Sequence, residues 1–340
     1  MPELTSRNAI KGGLLLALLA ILVAFPQVFS NPATVNYGVY AMIFVTAATA
    51  WGIFSGNSGY ISLGHAVFFG SGAYAMGIMI NAWHFSPDSS FELLPLVALI
   101  GAGIAAVVGF ISLRVRRHTY IVITIGLFFI FQLMATNFGF TGGTSGLNAP
   151  FFTWSNASFD TNFYYIALAA AVPAMVIAVV VRRSRFGLQL RAIRDDEDRA
   201  RGLGVKTMRV KLASLVISGA ITAVIGAIWF LFNGQAAPNT AFDPLWDLEI
   251  VLMAFLGGYG TVAGPVLGAL IIEPGSLYLN TVSSNSYLSE IVLGLVFLVF
   301  VLFVPRGIIP TVTEWVTRVR SRGRPAVVTS VVTQKVGASR

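Results

Sequence analysis

The chain has 340 residues, 56% hydrophobic and only 11% charged, with a mean hydropathy of +0.79 and a formal net charge of +8. So little polar surface excludes a soluble globule of this size, and continuous apolar runs exclude a transmembrane barrel, whose strands would alternate. The absence of cysteine excludes disulfides, thiolate metal sites and cysteine nucleophiles, and with three histidines no metal site is expected.

Arg7 and Lys11 precede the first apolar run, Gly12 to Phe29. Its end, Val28-Phe29-Ser30, lacks the paired small residues of a signal-peptide cleavage site, so the run is read as a retained anchor. A second span covers Ala33 to Phe54, and the turn Ser55–Gly59 leads into a third, Ser62 to Trp83. The fourth and fifth, Glu92 to Leu113 and Thr119 to Phe138, are separated by Arg114, Arg116, Arg117 and His118. A connection rich in Gly, Thr, Ser and Asn, Gly139 to Asn162, precedes the sixth span, Phe163 to Val181. Next comes a polar island, Arg182 to Lys211, with ten basic and four acidic residues, and then a seventh span, Leu212 to Phe232. Beyond Asn233 the pattern is irregular, because a short apolar run is broken by Gly257-Gly258-Tyr259-Gly260; spans eight and nine are predicted to be short or broken helices. A tenth covers Tyr287 to Val304. The residues after it are basic and lack a sustained apolar face, which predicts a largely disordered tail.

The expectation is an all-α polytopic membrane protein of about ten transmembrane segments. Four basic clusters then hold all 22 Lys and Arg residues on one side, which their retention during insertion makes the cytoplasmic side. Residues 1–11 form a cytoplasmic N-terminus, 12–304 the membrane domain with its cytoplasmic loop 182–211, and 305–340 the cytoplasmic tail. Two inverted five-span repeats would fit ten crossings, although no sequence repeat marks them.

Several stretches are candidates for function. In SGYISLGHAVFFGSGAY, Ser58 to Tyr74, the glycines serve either tight helix packing or a translocation path; Ser62, Gly64, His65 and Gly70 are the candidates. His65 is either a relay or a neutral side chain bonded to a neighbouring carbonyl. Thr141, Gly142, Gly143 and Gly146 of the long connection, with Gly257 and Gly258 of the late break, are further path candidates. The Thr141–Leu147 stretch has no lysine after its glycines, and Val205 stands where a phosphate loop requires glycine before Lys206, so the chain is not expected to hydrolyse ATP. Glu290 is assigned to the outer interface, whereas Glu273 is left between an ion site and that interface. Inside the island, Asp195, Asp196, Glu197 and Asp198 lead into basic residues, as suits a short helix ended by Gly202 or Gly204 and presented to a partner. Asp160, Asp243, Asp247 and Glu249 fall on the opposite side and are expected to receive an external protein.

Five of these stretches, in order, resemble one family: the permease subunits of bacterial branched-chain amino-acid ABC transporters, in their M-type (LivM-like) form. They are SGYISLGHAVFFGSGAY, FTGGTSGL, the run from Arg191 to Ala227, LGGYGTVAGPVLGALIIE and LFVPRGI. The resemblance implies a pore-forming subunit of the cytoplasmic (inner) membrane, both termini cytoplasmic. It also implies a second permease, two cytoplasmic ATPase subunits that hold ATP and Mg, and an external solute-binding protein; no cofactor is implied for this chain. Its coupling loop falls on Arg191, Arg194, Asp195, Asp196, Glu197, Asp198, Ala200, Gly202 and Gly204, with Arg199 and Arg201 departing from the family's Ala-rich pattern. Urea, short amides or other amino acids are alternative solutes, and an ion-coupled secondary transporter and a membrane-embedded enzyme are the rival classes.

Overall fold

The computed structural model describes residues 20–29, 31–282, scattered positions between 291 and 298, and 307–321. The start of the first predicted span, most of the tenth, Glu290 and most of the tail therefore fall outside the described residues, while residues 20–28 of the first are helical. Helix α1 (Pro32–Trp51) starts with Asn31 accepting the Ala33 amide and Pro32 in the first turn, and runs into a π-helical turn, Gly52–Gly56. It is the central helix, with 89% of its apolar window buried. Helices α2 (His65–Trp83), α3 (Leu94–Ser112) and α4 (Arg117–Asn137) follow in the chain, and α5 (Asn156–Arg183) packs directly against α1. The island folds as two short helices, α6 (Arg185–Asp195) and α7 (Glu197–Gly202), before α8 (Thr207–Asn233) returns through the bundle. A two-stranded antiparallel pair, β1 (Leu147–Asn148) with β2 (Gln235–Ala236), ties the long connection to the chain leaving α8.

Helix α9 (Pro238–Ala241), α10 (Pro244–Gly258) and α11 (Ala263–Val282) complete the bundle, and the last two segments are bent by 118° at their break. Short, broken helices were expected there. Six helices are long and apolar enough to cross a membrane, or seven if the bent pair is one span, so the described residues account for six or seven of the expected ten crossings. The start of the predicted tail differs from expectation: Ile308–Ser321 form a helix, α12, beginning where Gly307 meets the backbone of Gly258. Ile308, Ile309 and Val312 supply apolar positions close enough in sequence to recur on helical turns.

Two features hold the bundle together. Gly72 and Gly226 let α2 and α8 touch backbone to backbone, since a Cβ on Gly72 would lie 2.0 Å from the Ala223 carbonyl oxygen and one on Gly226 2.0 Å from that of Phe69. The carbonyls at the lower end of α1 are collected by side chains from elsewhere: Ser218 donates to Ala50 O at 2.6 Å, Ser214 to Ile53 O at 3.0 Å and Tyr259 to Ser55 O at 3.0 Å. A break at membrane depth stands only where protein satisfies the backbone, and here it does.

Candidate functional site

The two island helices have local causes. Asp196 caps α7 by accepting the Arg199 amide at 3.0 Å, with Glu197 and Asp198 in the first turn where the helix dipole favours acids. The helix ends in paired bonds, Val205 N–H to Ala200 O and Gly204 N–H to Arg201 O, with Gly204 at φ +86°. That left-handed position suits glycine, so Gly204 and not Gly202 closes the motif.

The side chains of this loop divide into an inward and an outward set. Glu197 points inward: its carboxylate accepts a 2.8 Å ion-pair bond from Lys211 and a very short hydrogen bond from the Tyr60 hydroxyl. Lys211 also donates to the Tyr60 oxygen at 3.0 Å and lies 4.2 Å from its ring centroid. Lys211 is 3% exposed, so its charge depends on this partner. Burial would raise the Glu197 carboxyl, yet the bonds from Lys211 and Tyr60 prevail and hold it below its ordinary value. The Tyr60 hydroxyl is pushed well up by burial and by its acidic neighbour. Arg194 forms the second clamp, donating to Gly56 O at 3.0 Å and lying 4.6 Å from the Tyr259 ring centroid. Arg117, the first residue of α4, braces the loop from outside by donating to the carbonyls of Ile193 and Arg194 at 2.5 and 2.7 Å. The loop is thus fixed to both helix breaks, Gly56–Tyr60 and Tyr259–Gly260.

Facing outward are Asp195, Arg199, Arg201, Gly202, Leu203 and Gly204, while Ala200 is buried beneath them and Arg191 donates back to Arg182 O. Leu203 is 85% exposed and forms the apolar knob of the tip. Beside α7 a groove of about 720 Å³ runs to the basic turn, with Arg114, Arg116, Asp196 and Arg201 among its walls. Of the residues expected to couple, Arg194, Glu197 and Ala200 face the membrane bundle, and only the others are available to a partner. Tyr60, Lys211, Arg117 and Tyr259 were not among the expected site residues; Lys211 reads as the end of the island, and only the start of α8 at Thr207 places it one turn inside a spanning helix.

The early glycine stretch does not line an open path. His65 is fully buried, its Nδ1 3.0 Å from the Ser62 hydroxyl and its Nε2 2.8 Å from that of Ser218. It bridges two serines, where a carbonyl partner was expected. Gly64 packs on Thr124, and Gly70 on Phe242. Gly257 packs against Gly264 backbone and Gly258 against Pro310. At the opposite end Thr141 caps α4 through the Ala135 and Phe138 carbonyls, while Gly142, Gly143 and Gly146 have positive φ and turn the chain into β1. These two groups of glycines lie at different ends of the bundle and are not brought together.

The acids expected on the outer face also separate. Asp247 is a correction: it is 2% exposed and accepts the Ala66 amide at 3.0 Å, capping α2 from α10. A buried carboxylate engaged with a helix start cannot receive an external protein. Asp160 is partly exposed and accepts from Asn36 at 3.4 Å, and Asp243 caps α10 through the Leu245 amide. Glu249 is an electrostatic neighbour of Glu273, which is 5% exposed. Glu273 therefore sits inside the protein and not at an interface. Among the described residues, no group of three His, Asp or Glu side chains is placed to hold a metal ion.

A family model described as branched-chain amino acid transport system / permease component matches residues 33–301. Among curated proteins, the chain is 25% identical to the high-affinity branched-chain amino acid transport system permease protein LivM of Salmonella typhimurium, over 87% of this chain and 74% of the relative. It is 26% identical to LivH of the same organism, over 84% of this chain and 95% of the relative. To the galactose/methyl galactoside import permease protein MglC of Haemophilus influenzae it is 25% identical, over 86% and 92%. No solved structure matches the chain.

Proposed function

The chain belongs to the family of permease components of branched-chain amino acid transport systems, and from that premise we propose how this permease is driven. It is an ABC-importer permease, a multi-pass protein of the bacterial inner membrane. It works with a second permease subunit, two cytoplasmic ATP-binding subunits that carry ATP and Mg, and an external solute-binding protein that selects a branched-chain or related amino acid. Ten crossings, with both termini and all four basic clusters in the cytoplasm, complete the topology. Within it, the tip from Arg199 to Gly204 seats in the ATP-binding subunit, and Glu197 and Arg194 carry the resulting movement to the two helix breaks.

The observation that supports this is the double clamp. A loop held only by its ends would flex when pushed, whereas this one is bonded to Tyr60 and Lys211 on one side and to Gly56 and Tyr259 on the other. Displacing it displaces both breaks together. The test uses Gly204→Val, since a β-branched residue resists φ +86° and the misfit costs on the order of 1 kcal/mol or more, while nothing lies within 4 Å to clash with it. Membrane insertion should persist, with ATP-binding subunits lost or solute-stimulated hydrolysis uncoupled in liposomes. Normal subunit binding and normal stimulation would remove Gly204 from the contact, and the same result after replacing residues 191–204 with a flexible linker would end the coupling assignment.

A further inference from the structure

Helix α5 runs from one membrane surface to the other. Tyr165, whose hydroxyl bonds to Val23 O, and Arg182 lie about 26 Å apart along it, against roughly 30 Å of hydrocarbon. Tyrosine settles at the level of the lipid headgroups, and so does arginine at the end of a span. Arg182 and Arg183 therefore stand in the headgroup layer, at the end of the bundle that carries the island. Helices α5 and α11 both pack on α1, with little contact between them, which leaves a groove along their flanks. Val176 and Val180 of α5, and Leu267 and Ile271 of α11, are exposed apolar pairs one helical turn apart, the surface that acyl chains require.

At the island end of that groove lies a cleft of about 540 Å³, walled by Arg182, Arg183, Leu188 and Arg191 together with the start of α11 at Thr261 and Ala263. Its charge is unbalanced. None of the lining residues is acidic, and among the described residues none of the three arginines pairs with an acid. Arg191 donates to Arg182 O at 3.3 Å, and the charges that act on the Arg182 guanidinium are those of Arg191 and Arg194. Like charges gathered this closely repel one another unless an anion sits among them. The first turn of α11 adds the partial positive charge of amides that have no helical partner. We propose that this cleft binds the phosphodiester headgroup of an anionic phospholipid, with its acyl chains lying along the groove between α5 and α11. Guanidinium forks match phosphate oxygens two at a time, and Leu188, exposed beside them, gives the first methylenes an apolar contact. A zwitterionic lipid brings its own ammonium among three arginines and gains less, so the site selects net negative charge. Arg182 also borders a small void with Gly52 and Ile53, so a headgroup that fixes its guanidinium steadies the π-helical turn below α1. The proposal requires that α5 spans the membrane and is independent of the coupling role given to the tip.

The assembled transporter, purified in detergent, is titrated with phosphatidylglycerol, with phosphatidylcholine and with inorganic phosphate while its thermal midpoint is followed. Phosphatidylglycerol should raise the midpoint saturably, and the other two should not. Arg183→Gln combined with Arg191→Gln should raise the half-effective lipid concentration severalfold. Arg114→Gln combined with Arg116→Gln, which removes the same charge from the basic turn at the same end, should leave it unchanged. An equal rise with phosphate would overturn the lipid in favour of a free anion. Equal losses in the two double variants, or no loss in either, would overturn the cleft. A second measurement keeps every arginine and so stands even if the cleft variant does not fold. Because the chain has no cysteine, Val176→Cys and Val107→Cys, both exposed and each seven positions before an arginine, can carry a single fluorophore. In bilayers, phosphatidylglycerol with brominated acyl chains should quench the label at position 176 severalfold more than brominated phosphatidylcholine does, and the two should quench the label at position 107 about equally. No preference at position 176, or the same preference at both positions, would overturn the proposal.

Discussion

Glu197 is the residue on which the inward clamp depends, because it is the shared partner of a nearly inaccessible lysine and a tyrosine hydroxyl. Glu197→Gln keeps the shape and removes the charge, leaving Lys211 buried without its counter-ion at a cost of about 3 kcal/mol. The thermal midpoint of the purified protein should fall at neutral pH. Its acid dependence should change as well. The carboxyl is held below its ordinary value in the folded state, so its contribution is complete above the ordinary carboxylate range and is lost as pH falls through the depressed value. Unfolding scans from neutral pH downward should show that acid limb in the wild type and a flatter one in Glu197→Gln; parallel curves would mean the ion pair contributes nothing. His65 is a different case, a buried bridge between two serines. His65→Ala removes packing and two bonds, about 2 kcal/mol or more. The thermal midpoint should drop while the surviving transporter keeps its KM for solute. A changed KM with an unchanged midpoint would restore the relay reading.

Helices α2 and α8 meet where a side chain has no room, and this contact fixes how far α2 stands from the return helix. Gly226→Leu should force them apart, at a cost of at least about 1–3 kcal/mol in strain. Gly103→Leu, on α3 where no atom lies within 4 Å of a new Cβ, adds the same bulk harmlessly. Yield and thermal midpoint of the two variants, measured side by side, should separate clearly; equal behaviour would show that α2 and α8 do not pack this closely in the membrane. The island adds local signals to packing: its two helices carry their own caps, Ser184 and Asp196, and bury Leu190, Ile193 and Ala200 against the bundle.

For the whole molecule, the basic turn Arg114–Arg117, the island and the start of α12 gather at one end of the bundle, joined by Arg117 to the island carbonyls and by Gly307 to Gly258. If that end is cytoplasmic, a reporter fused after Arg340 should be active only in its cytoplasmic form, and one inserted at Ser155, just before α5, only in its external form. Reversal of either result would break the ten-span arrangement.

By itself the sequence determined the class of the protein, most of its spanning helices and the internal shape of its polar island. Each is a local matter: a helix in lipid must satisfy its own backbone, and the Asp196 cap and Gly204 stop act within one turn. Only the tertiary structure decided which polar groups meet. Tyr60 and Glu197 are 137 positions apart, and Tyr60 and Lys211 are 151. Asp247 reads as an outer-face charge along the chain, and Gln132 as one polar residue in an apolar run. Spans that are apolar on every side carry no period to say which face turns inward, so rotation and tilt are set by close contacts such as that of Gly72 with Ala223. Those contacts placed Asp247 beneath α2, Glu197 on Lys211 and Gln132 on the Phe242 carbonyl.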